Sequence, residues 1–86
     1  MTDTEFEELY QIVLNNRKEL INKKPDVAKT FKKWRLKHDA TYFAIDFPER
    51  SRSLNKKVYT VLLSGKSDDE ILAELNKIIP PNFRPY

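Results

Sequence analysis

His38 is the single histidine of an 86-residue chain that contains no cysteine, and those two facts bound its chemistry at once. Without a second imidazole or any thiolate, neither a His/Cys metal site nor a Cys-His nucleophile pair is expected. A Ser-His-Asp arrangement would need Ser51, Ser53, Ser64 or Ser67 to find His38 beside an oxyanion hole, and nothing in their spacing suggests it. The run "SGKS" at 64–67 places Lys and Ser together, but a phosphate-cradling loop needs two glycines and this chain has one. Asp68, Asp69, Glu70 and Glu74 are the densest carboxylates, and their place in the first turns of a helix is explained by the helix dipole rather than by a hard cation. No catalytic residue, metal site or cofactor is expected, and the chain reads as non-catalytic.

What remains is binding chemistry, concentrated in "KTFKKWRLKH", residues 29–38. The overall charge of +3 conceals a segregation: residues 17–38 carry nine Lys and Arg against Glu19 and Asp26, whereas residues 1–16 carry four acids and no cation. Local charge of this kind steers a partner. At 100° per residue, Val27, Phe31, Trp34, His38, Tyr42 and Ile45 fall on one helical stripe, so Phe31, Trp34 and His38 are expected in the core, His38 at its edge with a hydrogen-bonded ring. Lys29, Lys32, Lys33 and Lys37 project to the opposite face, where they are free to contact phosphates. Lys23, Lys24 and Arg35 join them as candidates for a nucleic-acid-binding surface. The competing view of these lysines is a solvated face that keeps the protein soluble. Leu36 and Phe43 project among the lysines, away from the core stripe, which suits a mixed basic and apolar protein interface. Arg50, Arg52, Lys56 and Lys57 extend the surface if the fold brings them alongside.

The elements that must position these residues are helical. One glycine and no sustained apolar/polar alternation argue against a sheet, while helical spacing appears four times. The first helix is expected to start on a capping box at Thr4 and Glu7, to carry Phe6, Leu9, Tyr10, Val13, Leu20 and Ile21 inward, and to end before Pro25. A second helix opens at Pro25 and runs almost to "DFP"; a third opens at Pro48 and closes at Gly65; a fourth starts at Ser67 with the box "SDDE" and turns Ile71, Leu72, Leu75, Ile78 and Ile79 inward. The fold expected is all-α: a compact bundle of four short helices over residues 1–79, one domain, with an extended Pro-rich C-terminal tail at 80–86. Phe83, Arg84 and Tyr86 in that tail are expected to dock back on the bundle, with a short peptide ligand as the alternative.

Residues 61–75, "VLLSGKSDDEILAEL", resemble the first turn-linked helices of LuxR-type helix-turn-helix regulators. That resemblance would imply DNA reading by a following recognition helix, but "NKIIPPNFRPY" leaves no room for one, and no DNA-reading residue is carried over. The acidic start "MTDTEFEELYQ" has neither the basic nor the apolar region of a signal peptide, and no stretch approaches the ~20 apolar residues of a membrane span, so a cytoplasmic protein with no membrane partner is expected. The sequence reading is therefore a small helical binding protein whose basic helix contacts nucleic acid or a nucleoprotein complex. Its rival is an inhibitor, immunity-type or adaptor module that binds an acidic site on a protein target. Homo-oligomerisation through the same patch is a third possibility.

Overall fold

In the computed structural model, which describes residues 2–78, six α-helices and one 3-10 turn follow one another: α1 Asp3–Asn16, α2 Glu19–Lys23, α3 Pro25–Arg35, α4 Asp39–Asp46, the 3-10 turn Pro48–Arg50, α5 Arg52–Leu62 and α6 Asp68–Ile78. The all-helical expectation holds for the described residues; the expected count of four does not. Two of the four anticipated helices are each broken into a pair by short polar side chains that bond the local backbone. At the first break Asn16 Oδ1 accepts from the Lys18 amide at 3.2 Å, and Leu20 N and Ile21 N then bond the carbonyls of Arg17 and Lys18. At the second, Lys37 N and His38 N both close on the Trp34 carbonyl, and His38 takes an extended conformation from which α4 starts afresh.

The caps explain the remaining boundaries. Thr2, not Thr4, opens α1: its hydroxyl receives the Glu5 amide while Glu5 reaches back to the Thr2 amide. "TDTE" and "TEFE" both satisfy the capping-box pattern, and the earlier one gains two more helical residues. Ser51 caps α5 by accepting from Leu54 N at 3.1 Å, which leaves Pro48–Arg50 as a separate turn ahead of it. Ser67 receives the Glu70 amide at the start of α6. Gly65 stands at φ 78°, the left-handed conformation that carries the chain out of α5.

Each helix packs on the next, and α5 returns to α1 while α6 returns to α4. Every α-helix contributes to one core: Phe6, Leu9, Tyr10 and Val13; Leu20; Phe31 and Trp34; Ala40, Ala44 and Ile45; Val58, Tyr59 and Leu62; Ile71 and Leu75. A run of aromatic rings threads it, Tyr10 on Phe6, Phe6 on Tyr59 and Tyr59 on Phe31, with centroids 4.9–5.6 Å apart. The Pro48 carbonyl ties the α4–α5 corner to α1 by accepting from Tyr10 OH and from Asn55 Nδ2. Two expectations about facing fail: Ile21 is 65% exposed because the corner at Arg17–Lys18 rotates α2, and Leu72 is 41% exposed. The expected tail at 80–86, with Phe83, Arg84 and Tyr86, and the inward Ile79 lie outside the described residues.

Candidate functional site

The two helix breaks determine what becomes of the basic stretch. Trp34 is 3% exposed, so the core expectation is met and the ring offers no free face for stacking on a base. The Nζ atoms of Lys33 and Lys37 lie over that ring at 5.5 and 5.6 Å, laying their aliphatic stems across it. Lys33 also pairs with Asp68 at 2.7 Å; that hydrogen bond, with added attraction from Lys33 and Lys37, holds the Asp68 carboxyl below its ordinary range. His38 is buried and bonded through both ring nitrogens. Nδ1 accepts the Ala40 amide at 3.0 Å as the cap of α4, which leaves Nε2 to carry the proton toward Asn76 Oδ1 at 2.7 Å on α6. Sequence reasoning placed His38 at the core edge with a bonded ring, and that is its position; the capping role was not anticipated.

Arg35 is not a free cation. Its Nε and one terminal nitrogen grip the two oxygens of Asp46 at 2.6 Å each, and Arg17 adds a third bond to Asp46 at 2.9 Å. The Asp46 side chain is 12% exposed, and the Arg35 hydrogen bonds outweigh its burial and hold its pKa below the ordinary carboxylate value; the same bonds raise the pKa of Arg35. Leu36, at the end of α3, is 74% exposed. Phe43 is half-buried on α4 and belongs to a ring cluster with Tyr42 and Phe47. Since α3 and α4 are separate helices, the single helical projection that grouped Leu36 with Phe43 does not apply across the break at 36–38.

Lys29, Lys32, Lys23 and Lys24 are exposed, and the first two stand over a feature that the helical projection did not reveal. An open groove of about 640 Å³ lies where the α1–α2 corner faces α3. Its apolar lining includes the buried Val13, Leu20, Phe31 and Ile45, the half-buried Ala28 and the exposed Ile21. Its rim carries Arg17 and Lys18 from the corner and Lys29, Lys32 and Arg35 from α3, against one acid, Asp26. Arg17 and Lys18 are not among the site residues expected from the sequence, and Ile21 is expected there in the core. The available signal was "NN" before "RK", two poor helix formers that end α1 and swing the next turn.

Among the described residues no group of three or more His, Cys, Asp or Glu side chains is placed to hold a metal ion, and no helix is long and apolar enough to cross a membrane. Fold and site thus define an all-α protein with a basic-rimmed apolar groove. No protein-family model, curated protein or solved structure matches the chain.

Proposed function

We propose that this is a non-catalytic binding protein that takes an acidic segment of a protein partner on its α2–α3 side. The observation that carries the reading is the groove: an apolar lining with three exposed lysines, Lys18, Lys29 and Lys32, beside the Asp46-bound Arg17 and Arg35. Phosphate contacts require cations but no apolar floor, whereas a protein interface is a desolvated apolar centre ringed by charge. The buried Trp34 and the pairing of Lys33 with Asp68 count further against a nucleic-acid surface. In this reading Lys29 and Lys32 set the association rate and orientation, and Ile21 supplies the contact that water must leave.

Nucleic acid or a nucleoprotein complex is the second reading, favoured by the exposure of Lys23, Lys24, Lys29 and Lys32 on one stretch of chain. Fluorescence anisotropy with a labelled acidic, Leu-containing peptide, a labelled duplex and a labelled single strand, each at two salt concentrations, separates the two. The proposal expects peptide binding that Lys29→Glu with Lys32→Glu removes, and weak duplex binding that fades at the higher salt. Tighter binding of duplex or single strand than of peptide at both salt concentrations would refute it.

A further inference from the structure

Resting on the proposal of an acidic protein partner, we infer that the segment seated in the groove is an amphipathic α-helix whose apolar ridge is flanked by Asp and Glu on both sides. The wall has the shape of a helix face. From α3 the groove takes Pro25, Asp26, Ala28, Lys29, Phe31, Lys32 and Arg35, which recur at steps of three and four along one side of the helix. Ten residues of rise give a length of about 15 Å, the span of roughly three turns of a partner helix.

The main chain around the groove also favours a helix. An extended peptide lying in an apolar groove needs partners for its own amides and carbonyls, and it normally finds them on a sheet edge. No strand is present among the described residues, and the corners that border the groove have spent their main-chain groups. Lys18 N bonds Asn16, the carbonyls of Arg17 and Lys18 accept from Leu20 and Ile21, and at the other corner Lys24 N bonds the Leu20 carbonyl while the Lys24 carbonyl accepts from Ala28. A helix brings its own hydrogen bonds and asks nothing of these walls.

Charge is distributed over both walls of the groove. Arg17 and Lys18 come from the α1–α2 corner, while Lys29, Lys32 and Arg35 come from α3. An anionic lipid carries its charge at one end and would need its cations at one end of the groove. Cations contributed from both walls instead match acidic residues on both flanks of an apolar ridge. Arg17 and Arg35 are already bonded to Asp46, so the charges that meet a partner's carboxylates are Lys18 on the corner wall and Lys29 and Lys32 on α3.

The test uses three synthetic peptides of about twelve residues: one with a Leu ridge at helical spacing flanked by Glu, one of the same composition with the spacing scrambled, and one with the ridge intact but a central Pro. The inference expects the first to bind at least tenfold tighter than the other two, to gain helical circular dichroism on binding, and to lose at least tenfold in affinity to Ile21→Asp or to Lys29→Glu with Lys32→Glu. Ile21, Lys29 and Lys32 are exposed, so these variants should retain the wild-type melting curve, which is measured alongside. Equal binding of the Pro or scrambled peptide, still sensitive to the Lys29/Lys32 reversal, would overturn the helix and leave the acidic-partner proposal standing. If none of the peptides binds while a duplex does, the proposal itself is overturned. Binding of oleate but of no peptide, or concentration-dependent sedimentation abolished by Ile21→Asp with no peptide bound, would replace the helix by a lipid or by a second copy of the chain.

Discussion

Truncation of His38 is the sharpest probe of how the fold is held, because one ring bonds two elements. In His38→Ala the α4 amide of Ala40 loses its cap, worth about 1 kcal/mol. The Nε2 bond to Asn76 on α6 also goes, leaving a part-buried amide oxygen without its donor, for about another 1 kcal/mol. Lost contacts of a side chain that is 9% exposed add to this, so the total expected is about 2–3 kcal/mol. At roughly 4–8 °C per kcal/mol for a domain of this size, the melting temperature should fall by about 10–20 °C. His38→Asn restores the cap without the long reach and should recover about 1 kcal/mol. Asn76→Ala should cost about 1 kcal/mol, and the double variant less than the two together, giving a coupling of about 0.5–1.5 kcal/mol. Chemical denaturation followed by far-ultraviolet circular dichroism measures all four. A loss below about 0.5 kcal/mol in His38→Ala, or strict additivity with Asn76→Ala, would refute the double-anchor account.

Asp46→Asn should destabilise by about 2 kcal/mol at neutral pH, since the hydrogen bonds of two guanidiniums lose their charged acceptor. The folded carboxyl titrates below its ordinary value of 3.8, so the stability it confers is present above that value and is lost as pH falls through the folded one; the gap between wild type and variant should close between about pH 5 and pH 2, read from denaturant midpoints. Leu36→Ala should leave the melting curve within about 0.5 kcal/mol of wild type, while Phe43→Ala, which opens the ring cluster with Tyr42 and Phe47, should cost about 2 kcal/mol, and equal effects in thermal melts would contradict the surroundings assigned to them. Gly65→Ala meets no neighbouring atom but must hold φ 78°, so a loss of about 1 kcal/mol is expected in the same assay. Burial pushes the Tyr59 phenol up, and its hydroxyl has no hydrogen-bond partner among the described residues, so Tyr59→Phe should be neutral or stabilising by up to about 1 kcal/mol.

Periodicity made the helical class and most of the core legible, because apolar residues at three- and four-residue steps have few other uses. Phe6, Phe31, Trp34 and Leu75 sit where that rule puts them. It failed at Ile21 and Phe43, which follow the two breaks, because a helical projection presumes that the helix continues, and it failed at Leu72 on α6; Leu36 is exposed, as the projection put it. The breaks were written in side chains that compete for backbone amides: Asn16 and His38 both accept from a main-chain N–H two residues on. Asparagine is a known helix stopper, but histidine is an uncommon cap, and its lone place on an apolar stripe pointed to the core instead. The basic stretch was visible as charge, yet charge alone does not tell Lys29 and Lys32, on the groove rim, from Lys33 and Arg35, each bonded to an acid of the same chain. That distinction depends on Asp46 and Asp68, which lie 11 and 35 residues away in sequence. The groove itself is a tertiary feature, made by the angle at Arg17–Lys18, and no local pattern encodes its floor.

The central claim, that the α2–α3 groove is the binding surface, is tested most directly by amide chemical-shift mapping of the nitrogen-15-labelled protein titrated with the Glu-flanked Leu peptide. The account predicts saturable shifts confined to the groove, at Arg17–Ile21 and Ala28–Arg35, that vanish in the Lys29→Glu, Lys32→Glu protein. Shifts centred on Leu36 and the N-terminal turns of α6, or none under saturating peptide, would contradict it.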